Sequence, residues 1–114
     1  MLLANEAIYY LDDDQIAALC STVAAALAPE GLFLVTWIGK EHYYFDWSEP
    51  RAAGLYLTKI HGRQNEEFLM NFKTDVEAVE LLSKHFVVRR KGYYDMLIDE
   101  GRRLHYWYLL QRKV

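Results

Sequence analysis

The sequence predicts a mixed α/β domain in which parallel strands joined through a helix are followed by a terminal antiparallel hairpin, with helices on the faces of the sheet. Three observations carry this reading. An apolar run, a stripe of helical period and a second apolar run follow one another at the amino end. A second capped helix begins at Thr74. Two apolar segments separated by a turn signal then close the chain. At 114 residues the chain is expected to form one domain over 1–114 around one core.

Met1-Leu2-Leu3-Ala4, ending at Asn5-Glu6, reads as a short buried strand whose last residues turn outward. Ile16, Leu19, Cys20, Val23 and Leu27 then fall on one face of a helix. Asp12 and Gln15 have capping-box spacing, and the carboxylates of Asp12, Asp13 and Asp14 suit the positive end of the helix dipole. Pro29 cannot continue the hydrogen-bond ladder and Gly31 permits a left-handed turn, which ends the helix near Ala28. Leu32 to Ile38 is almost continuously apolar, as in a parallel-sheet strand covered on both faces.

Residues 40–73 read as an aromatic insert or lid. Two conformations are open there: a hairpin of Leu55 to Ile60 with Phe68 to Phe72, turning through His61 to Asn65, or a helix from Glu49 to Ile60. Thr74 and Glu77 form a second capping box, opening a helix with Val79, Leu82 and Phe86 on its apolar stripe. Strands over Phe86 to Tyr94 and Leu104 to Gln111 follow, connected by Met96 to Arg103 with its Asp99-Glu100-Gly101 turn signal. The last strand is apolar or aromatic on both faces, which predicts an interior position in the sheet.

A composition of 53% hydrophobic and 25% charged residues excludes a disordered tail or low-complexity linker. Thirteen basic against sixteen acidic side chains give a charge of −3, which argues against nucleic acid as a partner. The single Cys20 lies on a buried helix stripe and suits a reducing cytoplasm. His61, His85 and His105 lack metal-ligand spacing and read as structural, so no metal is expected. Neither a cationic leader nor an apolar run of about twenty residues occurs, so no export or membrane segment is expected.

The order of elements resembles the second half, strand 4 to strand 7, of a class I S-adenosylmethionine-dependent methyltransferase. Ala4 to Leu11 is similar to the text that follows the family's fourth strand. Leu27-Ala28-Pro29-Glu30-Gly31 before Leu32 to Val35 is similar to the Pro-Gly-Gly-like turn before its fifth, with Glu30 where the first glycine is usual. Thr74 to Val88 resembles the last helix and sixth strand, and Leu104 to Lys113 the seventh. The resemblance implies a partial Rossmann-like methyltransferase sheet. The family's glycine-rich cofactor loop has no counterpart here, because the glycines at 31, 39, 54, 62, 92 and 101 make no closely spaced G-x-G. The expectation is therefore a carboxyl-terminal fragment, inactive alone, that exposes the edge of its first strand and is completed by a missing amino-terminal half or a second copy.

The same resemblance implies S-adenosylmethionine as cofactor and a small molecule as methyl acceptor, since the Asn-Pro-Pro-aromatic motif used on nucleic acid bases or glutamine is absent. Glu6, beyond a strand's carboxyl end, is placed to remove a proton from the acceptor. Asn5 and Tyr9 are assigned to the cofactor and Tyr10 to the acceptor. Trp37, His42, Tyr43, Tyr44 and Trp47 are candidate walls of an acceptor pocket, aromatic faces being attractive to cations and exclusive of water. In the plainer reading, Asn5 and Glu6 only turn the chain and the aromatic residues only pack. A competing function is a non-catalytic module that dimerises through its exposed sheet edge.

Overall fold

The computed structural model describes residues 1–60 and 66–113. Its main sheet contains β1 (Leu2–Ala4), β2 (Leu32–Ile38), β6 (Phe86–Ile98) and β7 (Gly101–Arg112), in the order β1-β2-β7-β6. Helix α1 (Asp13–Ala26) makes the crossover between β1 and β2, which pair in parallel, while β7 runs antiparallel to both of its neighbours. A second sheet, β3 (Ser48–Pro50), β4 (Tyr56–Lys59) and β5 (Glu67–Met70), is antiparallel throughout. Helix α2 (Asp75–Leu82) returns the chain to β6. The predicted α/β class, the parallel crossover, the closing hairpin and the interior place of the last strand are all present.

Both capping boxes form. Asp12 accepts from the Gln15 amide and Thr74 from the Glu77 amide, and each third-position side chain bonds back to the cap's own N–H. On α1, Ile16 and Cys20 are fully buried, and Leu27, just past its end, is nearly so. Ala78 and Leu82 do the same for α2. These residues close over Val35, Trp37, Tyr108 and Leu110 of the central strands in one core.

One polar cluster fastens the second sheet to the first. The Asp13 carboxylate accepts from Asn71 Nδ2 and from Lys73 Nζ, both at 2.8 Å. Asn71 Nδ2 also donates to the Leu11 carbonyl at 3.2 Å, and the Asn71 amide to the Tyr9 carbonyl at 2.7 Å. Trp37 Nε1 donates to the Asn71 carbonyl at 2.7 Å. Asn71 is wholly buried and Lys73 is 8% exposed, which makes these bonds costly to lose. Gly54, at φ +81°, passes so close to Asp13 that a Cβ there would stand 2.4 Å from the carboxylate.

The structure corrects several expectations. Glu49 to Ile60 is not a helix: β3 and β4 pair there across a tight turn, because Pro50 removes a donor and the chain turns through positive φ at Ala53 and Gly54. The hairpin alternative holds, with Tyr56 opposite Met70 and Thr58 opposite Phe68. Its proposed turn, His61 to Asn65, lies outside the described residues. Met96 to Arg103 is not a connection but the paired end of a longer hairpin, with Met96 opposite Arg103 and only Asp99 and Glu100 between the strands. That ladder shifts by one residue between Val88 and Arg90. β1 is parallel as expected but not buried: among the described residues it has β2 alone as neighbour, and Leu3 is 63% exposed.

Replacing Asn71 by alanine strips two donors from the cluster and is expected to cost about 2 kcal/mol. A urea midpoint that does not move would show that the cluster is not a fastening point.

Candidate functional site

In open parallel sheets ligands bind beyond the carboxyl ends of the strands. At that end of β1 the chain turns sharply, with Glu6 in the left-handed region at φ +52°. Thr36 of β2 holds the turn: its Oγ1 accepts from the Glu6 amide at 2.6 Å and donates to Asn5 Oδ1 at 3.2 Å. The turn sends the Glu6 side chain toward β6, where the Tyr94 hydroxyl donates to its carboxylate at 3.5 Å.

Behind Glu6 lies a stack of rings. Tyr94 lies nearly parallel to His105, with centroids 5.1 Å apart, because the β6–β7 register sets them opposite each other. His42 meets His105 edge-on at 5.4 Å, and Tyr9 tilts against His105 at 5.9 Å. His42 is itself fixed, since its Nδ1 accepts from the Tyr44 amide at 3.1 Å and Tyr43 stacks on its ring. Between these groups opens a cleft of about 210 Å³. Glu6, Tyr9, Tyr10, His42 and Tyr44 line it together with Arg103 and His105. Ile38, Phe68 and Met70 supply its apolar wall. An adjoining cleft of about 170 Å³ shares Glu6, Arg103 and His105 and extends along Tyr94 and Met96.

Five sequence-predicted residues thus converge: Glu6, Tyr9, Tyr10, His42 and Tyr44. Asn5 stands at the turn, bonded to Thr36, and does not line the cleft. Tyr43 supports His42 from behind, with its Cβ against Gly101. Trp37 does not face the cleft: its ring is fully buried in the core and its N–H is committed to the Asn71 carbonyl. Trp47 lies apart, in a surface depression with Asp46, Ser48 and Leu57. Arg103, His105 and Tyr94 were missed as site residues. Their strands were recognisable, but their meeting with Glu6 depends on pairing between distant segments.

Burial decides the protonation of the site. It brings His42 down to about 4, helped by His105 and Arg103 and opposed by Asp95. Burial likewise lowers His105, with Arg103 adding to the effect and Glu6 opposing it. Tyr9 is raised by burial and by its neighbours Tyr10 and Glu6, and Tyr94 by burial and Glu6. At neutral pH the imidazoles of His42 and His105 are therefore neutral and the phenols of Tyr9 and Tyr94 protonated. Among the described residues, no group of three His, Cys, Asp or Glu side chains is arranged to hold a metal ion, and no helix is long and apolar enough to cross a membrane.

The unfolded chain takes up His42's proton near pH 6.5, whereas the folded chain resists it down to about pH 4. The contribution of His42 to stability is accordingly full above about pH 6.5 and falls by on the order of 3 kcal/mol as the pH drops toward 4. Urea titrations at several pH values should show this slope flattened in His42→Asn. An equal slope in both proteins would mean that His42 is not held neutral.

Comparison with solved structures sets this geometry in a fold family. A methyltransferase dependent on S-adenosylmethionine from Methanosarcina mazei superimposes with a TM-score of 0.74 at 16% identity, over 98% of this chain and 58% of its own. A candidate methyltransferase of the same dependence from Listeria monocytogenes gives 0.69 at 14% identity, over 98% and 60%. A protein from Pyrococcus horikoshii gives 0.69 at 12%, over 97% and 50%. No protein-family model matches the chain, and no curated protein matches it by sequence. The chain spans half to three-fifths of the length of these neighbours, and at such identities the likeness establishes architecture. Its fold is that of the corresponding half to three-fifths of these S-adenosylmethionine-dependent methyltransferase structures.

Proposed function

We propose that this chain is the carboxyl-terminal portion of an S-adenosylmethionine-dependent methyltransferase acting on a small molecule, and that it forms the acceptor side of the site. The observation that carries the reading is the cleft beyond the carboxyl ends of the parallel strands, with Glu6 held at its mouth by Thr36 in a methyltransferase-type sheet.

The residues present fit one end of the cofactor and not the whole of it. About 210 Å³ is below the roughly 300–1,000 Å³ of ordinary ligand pockets. No glycine-rich turn follows β1 or β2 to cradle a nucleoside. When bound, the cofactor supplies an electrophilic methyl group. This chain's part is to hold the acceptor against the tyrosine and histidine rings, to exclude water with Ile38, Phe68 and Met70, and to accept a proton at the Glu6 carboxylate. Asn5 and Tyr9, near Glu6, are the residues that would contact the reactive end of the cofactor. With a cleft that fits only one end of the cofactor, the chain is expected not to turn over alone.

S-adenosylhomocysteine offered to the isotopically labelled chain is expected to perturb amide resonances of Asn5 to Tyr10 and Thr36 with a Kd of about 1 mM, ~4 kcal/mol of binding. No change at those amides at millimolar ligand, or changes confined to another face, would overturn the reading.

A second reading rests on the β1 edge. Its backbone groups on the side away from β2 have no strand neighbour among the described residues, and Met1, Leu2 and Leu3 are exposed beside it. In that reading the chain is a non-catalytic module whose two copies pair edge to edge. Sedimentation tests it: a monomer across the micromolar range removes this alternative.

A further inference from the structure

Two opposite charges face the cleft, and both belong to exposed residues, Glu6 and Arg103. Arg102 and Arg103 are adjacent on β7 and point to opposite faces of the hairpin. Arg102 is neutralised by Asp95 at 2.8 Å. The Arg103 side chain lines both clefts and, among the described residues, makes neither a hydrogen bond nor an ion pair. Glu6 lines the same two clefts. Its carboxylate receives only the long Tyr94 hydrogen bond among the described residues, and it makes no ion pair with Arg103. One carboxylate and one guanidinium therefore face a shared space unpaired, with His105 common to both clefts.

Resting on the acceptor-side reading above, we propose that the cleft binds a small zwitterion of amino-acid type, its carboxylate on Arg103 and its ammonium on Glu6.

A ligand with only a negative charge would meet Glu6, and one with only a positive charge would meet Arg103. A neutral ligand would displace water from both charges without pairing either. The planar guanidinium can grip a carboxylate through two parallel hydrogen bonds. The rings of Tyr9, Tyr10 and Tyr44 line the same cleft and can add attraction for an ammonium. The imidazoles of His42 and His105, kept neutral by burial, do not upset the balance of charge. The space suits a small ligand, about seven water volumes at ~30 Å³ each.

Calorimetric titration of the chain with L-phenylalanine, phenethylamine and 3-phenylpropionate separates the two charges on one carbon frame. The amino acid is expected to bind at least about tenfold more tightly than either single-charge compound. Arg103→Met should weaken the amino acid and the acid about tenfold and spare the amine, whereas Glu6→Gln should weaken the amino acid and the amine and spare the acid. Arg103→Lys should retain part of the acid binding, which distinguishes loss of charge from loss of fold. The proposal is overturned if either half binds as well as the whole, if neither variant changes the ranking, or if no compound binds at 10 mM. Amino-acid binding without the S-adenosylhomocysteine response at Asn5 to Tyr10 would keep the zwitterion pocket and remove the methyltransferase reading. The opposite pair of results would remove only the pocket.

Discussion

The Asp13 carboxylate is the point from which the rest of the arrangement hangs. It lies in the first turn of α1, so the crossover helix brings it to the same end of the sheet as the cleft. There it accepts from two side chains that arrive from the far end of the insert, Asn71 and Lys73. A buried donor cannot be left open without a penalty, and the bonds define one seating for the segment that carries β5. Lys73 also continues the main sheet: its amide donates to Ile38 and it forms a parallel bridge with Gly39. The small sheet is therefore stitched to the large one by backbone as well as by charge.

That seating gives the site its walls. Phe68 and Met70 reach the cleft because β5 packs against the Ile8–Tyr10 turn that follows β1, where the Tyr9 carbonyl is pinned by the Asn71 amide. On the opposite side Thr36 holds the Glu6 turn, and the β6–β7 hairpin contributes Tyr94, Arg103 and His105. Four separate stretches of chain thus converge on a volume no larger than an amino acid. The imidazoles at its centre are shielded enough to stay uncharged, which leaves Glu6 and Arg103 to set the field.

Much of the fold was legible because its signals are local. Asp12 with Gln15, Thr74 with Glu77, and the Pro29 to Gly31 break each act within one turn of chain, where neighbouring residues alone decide the conformation. Residues 49–60 were ambiguous because β3 and β4 are short, and their pairing competes with a helix until Pro50 and the positive φ at Ala53 and Gly54 are taken together. The site was half legible. Glu6, Tyr9 and Tyr10 follow a strand end, a position meaningful in sequence, but Arg103 and His105 gain their roles from register between segments about a hundred residues from Glu6. Trp37 shows the reverse error, for an aromatic residue at a strand end looks like a pocket wall until its N–H is seen spoken for by Asn71.

The shift in the β6–β7 ladder carries a further implication. Val88 stands opposite Leu110, whereas Arg90 stands opposite Leu109, so one extra residue is absorbed at Arg89. Were the strands in unbroken step from Val88 onward, His105 would be matched with Tyr93 and the aromatic partner of the imidazole would change. The ring that shields His105 is thus chosen by a miscount several residues away. Lengthening or shortening the chain at that distant bend would re-address the whole outer half of the ribbon, leaving every side chain of the cleft chemically intact but wrongly delivered.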